Sequence, residues 1–142
     1  MIIYWRDPLF WAALVAGPLC WMIMFWVGVP LRESPASLKS MAYLVVAYPL
    51  LEEIVFRGGI QPALSTRPIL ARSAAGISIA NVITSALFAV AHLLNQSILW
   101  SSLVFIPSLV FGWARDRHNT IVSPIILHMS YNAGFLWLFA AS

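Results

Sequence analysis

The stretch A-Y-P-L-L-E-E-I-V-F-R-G-G-I-Q-P-A-L, from Ala47 to Leu64, places Glu52, Glu53 and Arg57 midway along an otherwise apolar segment. An ionisable group at the centre of a membrane span costs roughly 2.5–3.5 kcal/mol on insertion scales. A chain that keeps three such groups in one segment therefore uses them, either as a structural ion pair or as a chemical site.

The composition around this segment is typical of a membrane protein. Apolar residues make up 61% of the 142 residues and charged residues 9%, whereas a soluble domain has roughly 45–50% and about 25%. So few charges could not cover the surface of a soluble protein, and lipid is the expected surrounding. The length predicts one domain, so we expect residues 1–142 to form a single membrane domain.

The basic balance of the chain does not indicate nucleic-acid binding. The net charge is +3 and the isoelectric point is near 9.5, but the basic residues stand singly or in pairs at the ends of apolar runs. Neither a basic stripe nor a basic cluster forms. The expected partner is membrane lipid, and no nucleic acid.

Five apolar segments approach the roughly 20 helical residues that cross the hydrocarbon layer. They are Leu9–Leu31, about Met41–Leu64, about Ser73–Leu94, Ile98–Trp113 and Ile121–Ala141. The fourth is short and contains Pro107, which predicts a kink. None shows the period-two alternation of a membrane barrel strand, so helices must satisfy the backbone in lipid. The sequence predicts an all-α, polytopic transmembrane helical bundle with one leading helix, about residues 9–31, and a four-helix core, about residues 41–141.

The distribution of lysine and arginine predicts the orientation of this bundle. With five spans, one side of the membrane holds Arg6, Arg67, Arg72, Arg115 and Arg117, and the other side holds Arg32 and Lys39. The excess of positive charge on the first side places the N-terminus in the cytoplasm. If the fourth segment does not span, the C-terminus lies in the cytoplasm as well.

The charged residues of the second segment divide into a pair and a single carboxylate. Glu53 and Arg57 are four residues apart, lie on one face of a helix and form the natural ion pair. Glu52 is rotated about 100° from Glu53 and has no partner from local spacing. An unpaired carboxylate in a dry interior is suited to accept and return a proton. The alternative is that all three residues lock the bundle structurally.

The third segment carries one histidine, His92, in S-A-L-F-A-V-A-H-L-L-N-Q-S. A neutral imidazole can hold or orient a water molecule. The alternative is a hydrogen-bonded histidine of the core, and proximity to Glu52 distinguishes the two.

The fifth segment carries His128 and Asn132 in I-V-S-P-I-I-L-H-M-S-Y-N-A-G-F. They are four residues apart on one helix face and point to the same place. Their N–H groups are suited to stabilise an oxyanion in a water-poor site. The alternative is a polar contact between helices.

A metal site is possible but unsupported. Two histidines and a glutamate form some catalytic zinc sites, but the spacing H-E-x-x-H is absent from the sequence and the two histidines belong to different segments. We therefore predict no cofactor. The third histidine, His118, follows Arg115–Arg117 in a predicted loop, where we expect a solvated surface residue.

Three motifs on successive segments resemble the signatures of the CPBP family, the CAAX-type and bacteriocin-processing intramembrane proteases, also called the ABI family. They are E-E-I-V-F-R at Glu52–Arg57, F-A-V-A-H at Phe88–His92 and P-I-I-L-H-M-S-Y-N at Pro124–Asn132. The family patterns are E-E-x-x-x-R, F-x-x-x-H and H-x-x-x-N, in the same order. The resemblance covers roughly Met41 to Ala140.

The resemblance implies a glutamate-dependent endopeptidase that needs no metal. In this mechanism Glu52 is the general base that activates water, and His92 holds the same water. Glu53 and Arg57 support Glu52, while the histidine and the asparagine of the third signature stabilise the tetrahedral oxyanion.

The chain differs from eukaryotic CAAX proteases, which have eight spans, and is similar to minimal bacterial members, including those that process C-terminal sorting tails. This implies a multi-pass protein of a bacterial inner membrane. Its substrate is expected to be a peptide or the C-terminal tail of a membrane-associated protein. Two alternatives are a non-catalytic scaffold or immunity protein of the same fold, and a proton or ion carrier with a glutamate–histidine relay.

One distance depends on where the third helix begins. At a rise of 1.5 Å per residue, a helix that begins at Ser73 places His92 nearer the external face than Glu52 and His128. A later start or a tilt of the helix removes this mismatch.

Overall fold

The computed structural model describes residues 3–26, 28–31 and 37–139, and this part of the chain is mostly helical. Arg32, used in the prediction of orientation, and the predicted end of the fifth segment at Ala141 lie outside the described residues. A 3-10 turn at Tyr4–Arg6 precedes the first helix, α1, at Pro8–Trp26.

The charged second segment forms a continuous helical stretch whose hydrogen-bond pattern alternates between α and π. Its parts are α2 (Leu38–Met41), a first π-helical stretch (Ala42–Ala47), α3 (Tyr48–Glu53), a second π-helical stretch (Ile54–Ile60) and α4 (Gln61–Ser65). Pro49 and Pro62 have no backbone N–H to donate within the continuous helix, and each closely follows a π-helical stretch, where the regular α-helical bonding pattern is already interrupted. Because π-helical turns are rare and frequent at functional sites, their position on both sides of Glu52 and Glu53 marks α3 as a candidate site.

The third helix, α5, spans Ile79–His92, so the predicted start at Ser73 is wrong. A small antiparallel hairpin precedes it, with β1 at Ser73–Ala74 and β2 at Ile77–Ser78. Gly76 at its turn has a φ of +80°, a conformation that glycine adopts without strain. The Ser78 hydroxyl then accepts a hydrogen bond from the Asn81 N–H and begins the helix as its N-cap.

The fourth segment is broken, as its proline predicts, into α6 (Ile98–Leu103) and α7 (Phe105–His118). Pro107 has no N–H to donate to the carbonyl of Leu103, so the helix is interrupted there. Helix α7 continues past the predicted end at Trp113 and stops at Asn119, which has a left-handed φ of +52°. The last helix, α8, spans Val122–Leu138.

Within the described residues, two helical stretches are long and apolar enough to cross a membrane. They are α1 (Pro8–Trp26) and the interrupted stretch formed by α6 and α7 (Ile98–His118). Large apolar side chains cover the outside of the fold, among them Trp26, Leu38 and Leu94. Such a surface is unfavourable in water and suited to lipid. The crossing of all five segments remains a prediction.

Helix α8 lies at the centre of the packing, against α1, α3 and α7, and α7 also packs on α5. The apolar core joins three of these helices. It is formed by Phe10 and Ala13 of α1, Phe111 and Ala114 of α7, and Leu127 of α8. The core therefore holds the leading helix against the two helices that follow the third segment.

A buried polar cluster fastens the start of α1 to the same helices, and it corrects the prediction that His118 is a solvated loop residue. His118 is fully buried at the end of α7, with Nε2 3.0 Å from Asp7 Oδ2 and Nδ1 2.9 Å from Ser123 Oγ. Arg117 donates from Nε and Nη2 to the same carboxylate. The error came from ending α7 too early, because its last turn faces the N-terminal segment.

Asp7→Asn is expected to lower the free energy of unfolding by about 2–3 kcal/mol, because it removes charged hydrogen bonds to Arg117 and His118. The hydrogen bond from Arg117 holds the pKa of Asp7 well below its usual range. This stabilisation is therefore complete above the ordinary aspartate pKa of about 3.9 and decreases as the pH falls below it. Thermal unfolding in detergent at pH 7 and pH 3 measures it, with exposed Arg6→Ala as the control. An equal loss at both pH values would contradict the prediction.

Candidate active site

The ion pair predicted from spacing in the second segment is confirmed. Arg57 Nε lies 3.3 Å from Glu53 Oε2, and Nη1 lies 3.4 Å from Oε1, with both side chains completely buried. The second terminal nitrogen of Arg57, Nη2, donates to the backbone carbonyl of Ser108 at 2.7 Å and to the Ser108 hydroxyl. The guanidinium thus connects α3 and its following π-helical stretch to α7.

His128 lies between the two glutamates. Its Nδ1 is 2.9 Å from Glu53 Oε1, and its Nε2 is 3.6 Å from Glu52 Oε2. Because the Glu53 carboxylate faces Arg57 and acts as an acceptor, Nδ1 of His128 is the donor in this hydrogen bond. The opposite edge of the ring, with Nε2, is thereby directed toward Glu52.

The two adjacent glutamates have different access to solvent. The Glu52 side chain is 31% exposed, whereas Glu53 has no exposed surface and His128 is 5% exposed. The difference follows from the rotation of about 100° between neighbouring helical residues. Of the two carboxylates, Glu52 is the one that the surroundings of the protein can reach.

His92 stands at the last position of α5 and is half-buried. Its Nδ1 is 2.9 Å from the carbonyl oxygen of Phe88, which identifies Nδ1 as the donor and leaves Nε2 as the acceptor. Both His92 and His128 are close enough to Glu52 to interact with its carboxylate electrostatically. Helix α5 begins later than Ser73, and its last residue lies near enough to Glu52 for both to belong to one site.

Asn132 follows His128 by one turn on α8, as predicted, and its side chain contacts a different helical segment. Its amide nitrogen donates to the carbonyl oxygen of Leu44 at 2.9 Å, in the first π-helical stretch. This bond ties α8 to the helical segment that carries Glu52. The amide has a second N–H, which no described residue accepts.

Aromatic rings enclose the buried charges. Phe111 of α7 stacks on the His128 ring, with centroids 4.7 Å apart and planes inclined by 19°. Phe88 meets the same ring edge-on at 5.7 Å and lies 5.0 Å from the Arg57 guanidinium. Ser108 and Phe111 could not be predicted from the sequence, because the fourth segment shows no polar spacing that sets them apart from ordinary core residues.

The sequence predicts that the site works without a metal ion. In the part of the chain that the structure describes, no three histidine, cysteine or carboxylate side chains are grouped as metal ligands are. The cofactor-free mechanism stays a prediction.

Fold and site together define a helical membrane protein with a buried glutamate–histidine cluster. A model of the family described as type II CAAX prenyl endopeptidase Rce1-like matches residues 34–134. The chain therefore belongs to this Rce1-like family of membrane-embedded peptidases, and the resemblance drawn from the three motifs is confirmed at the level of the family. Comparison with curated proteins and with solved structures gives no match.

Proposed function

We propose that the chain is an intramembrane endopeptidase that cuts a peptide bond near the C-terminal end of a membrane-associated protein or peptide. The proposal rests on the different surroundings of the two neighbouring carboxylates. Glu53 is buried in an ion pair, whereas Glu52 is partly exposed beside the free edge of His128. An accessible carboxylate next to an imidazole, in surroundings that exclude bulk water, is suited to general-base catalysis.

In the proposed reaction Glu52 accepts a proton from a water molecule, and the water oxygen attacks the carbonyl carbon of the scissile bond. His92 orients this water through its free Nε2. The tetrahedral intermediate collapses with cleavage of the C–N bond, and the proton taken by Glu52 passes to the leaving amine. Water is consumed, and one carboxyl and one amino terminus are formed.

The remaining residues of the site position these groups and receive the developing negative charge. Glu53 and Arg57 hold the His128 ring, because Glu53 accepts the hydrogen bond from Nδ1. In this proposal an oxyanion formed beside Glu52 accepts hydrogen bonds from the second N–H of Asn132 and from His128 Nε2, which can donate only when both ring nitrogens carry a proton. The family resemblance supports these roles, and the distances from His128 to the two glutamates support the role of the His128 ring.

His128→Ala and Asn132→Ala are each expected to lower kcat by about 10²–10³-fold, the usual effect of losing one oxyanion donor. Asn132→Ala also removes the bond to Leu44, so thermal unfolding is measured beside the rate. Ser130→Ala, on the same helix, is the control and should keep the wild-type rate. Rates within twofold of wild type for both variants would remove these residues from the mechanism.

The proposal is tested with purified protein in liposomes and a panel of synthetic C-terminal membrane peptides. Each peptide is supplied with and without a farnesyl group on its terminal cysteine, and mass spectrometry detects the new termini. We expect one cut near the C-terminus that persists in the presence of a chelator and is lost in Glu52→Gln. A pH-driven ion flux without any peptide product would instead support a carrier.

A further inference from the structure

Helix α7 carries none of the three signature motifs, yet two of its residues contact the charged cluster. We propose that Ser108 and Phe111 are positioning residues for the hydrolysis. In this proposal Ser108 holds Arg57, and Phe111 holds the plane of the His128 ring. The inference rests on the proposed function and extends it to a helix that the motifs leave out.

Ser108 offers the Arg57 guanidinium two acceptors at once. Arg57 Nη2 donates to its backbone carbonyl oxygen at 2.7 Å and also to its hydroxyl oxygen. Ser108 and Arg57 are both completely buried, so no water replaces these bonds. Hydrogen bonds from a charged donor are about twice as strong as those between neutral groups. The Ser108 hydroxyl therefore helps to fix the orientation of the guanidinium, whose Nε and Nη1 face Glu53.

Two further hydrogen bonds strengthen the attachment of the second segment to α7. Arg115 Nε, about two turns beyond Ser108, donates to the carbonyl oxygen of Arg57 at 3.0 Å. Gln61 Nε2 donates to the carbonyl oxygen of Gly112 at 2.9 Å. The second segment is thus bonded to α7 at Arg57 and again at Gln61, and α7 is the fixed surface against which the charged residues are aligned.

Phe111 acts on the imidazole directly. Its ring is nearly parallel to that of His128, at a centroid distance of 4.7 Å, and it also lies 5.8 Å from the Arg57 guanidinium carbon. A stacked ring opposes rotation of the imidazole about its side-chain bonds, since rotation would open a gap in a buried contact. The hydrogen bond to Glu53 fixes one edge of the imidazole, and the stack fixes its plane.

These two restraints together determine the direction of His128 Nε2. With either one removed, the fold remains closed but the ring samples other orientations relative to Glu52. A misplacement of about 1 Å from a change outside the chemistry can cost as much as 10²-fold in rate. A purely structural role for Ser108 and Phe111 predicts lower stability without this effect on the ring.

The experiment compares Ser108→Ala and Phe111→Leu with Ser108→Thr, which keeps the hydroxyl, and with Ser101→Ala. Ser101 is the matched control, because it is a buried serine of α6 whose hydroxyl has no hydrogen-bond partner among the described residues. Two quantities are measured in nanodiscs. The first is kcat and KM on the panel peptide that wild type cuts best. The second is the ¹⁵N spectrum of the His128 ring, assigned by its loss in His128→Ala.

We expect Ser108→Ala and Phe111→Leu each to lower kcat about tenfold with KM unchanged, while Ser108→Thr and Ser101→Ala stay within twofold. In wild type the ring nitrogens should show a single state with a proton on Nδ1, and the two variants should show a mixture of ring states. Wild-type kcat and an unchanged spectrum in both variants would overturn the proposal. A tenfold loss in Ser101→Ala as well would do the same.

Failure of this inference and failure of the proposed function give different results. Full activity in Glu52→Gln overturns the proposed function. An inactive Glu52→Gln together with fully active Ser108→Ala and Phe111→Leu overturns only the positioning role. The imidazole spectrum needs no substrate, so an unchanged spectrum in both variants rejects the positioning role even when no panel peptide is cut.

Discussion

Glu52→Gln is expected to abolish peptide cleavage while the protein remains folded. Glutamine keeps the size and shape of the side chain but cannot accept the proton of the attacking water. General-base catalysis typically contributes about 10²–10⁴-fold to the rate. Glu52 is partly exposed and lies outside the buried ion pair, so its replacement leaves the fold intact. The rate is measured by mass spectrometry on the panel peptide that wild type cuts best.

Two further measurements make this result specific. Thermal unfolding of Glu52→Gln should match that of wild type, which shows that lost cleavage is not lost folding. Glu53→Gln is the matched control, because the neighbouring carboxylate carries the structural pair and its loss should lower stability as well as activity. Full cleavage by Glu52→Gln would end the glutamate mechanism. Unfolding of Glu52→Gln at a much lower temperature would assign Glu52 a structural role.

Arg57→Met is expected to have the largest effect on stability, about 3–5 kcal/mol, the usual cost of breaking a buried ion pair from one side. Methionine fills part of the space of the arginine stem but leaves the Glu53 carboxylate buried without its cation. The Ser108 carbonyl and hydroxyl also lose their donor. Unfolding in a titration with denaturing detergent measures the free-energy difference.

The double variant Glu53→Gln with Arg57→Met separates charge from packing. Since no net charge then remains buried at this position, much of the lost stability should return, although His128 keeps only a neutral acceptor. A double variant as unstable as Arg57→Met would show that the arginine acts by packing alone. Wild-type stability of Arg57→Met would show that the pair does not hold the helices together.

Features that depend on neighbours within one helix could be predicted from the sequence. The pairing of Glu53 with Arg57 and the separate face of Glu52 follow from the helical repeat of 3.6 residues. The hydroxyl of Ser78, by contrast, begins α5 after a hairpin that the apolar pattern does not reveal. Helix ends depend on caps and turns that involve few residues, so their signals are weak.

Contacts between distant segments could not be predicted. The bond between His128 and Glu53 joins residues 75 positions apart, and the cluster of Asp7, His118 and Ser123 joins both ends of the described chain. No periodic pattern in the sequence indicates a contact between residues so far apart. The sequence therefore predicts that His118 is exposed to solvent, although the structure pairs it with Asp7, the first acidic residue of the chain.

The amino-acid sequence by itself determined the helical class, the lipid surroundings and the residues that share a helix face, because composition and helical periodicity act locally. Only the tertiary structure decided that His128 lies between the two glutamates and that Glu52, of the two, keeps an exposed surface. These features depend on how α3 packs against α8 and on how Arg57 reaches Ser108 of α7, and packing brings together side chains that the sequence keeps apart.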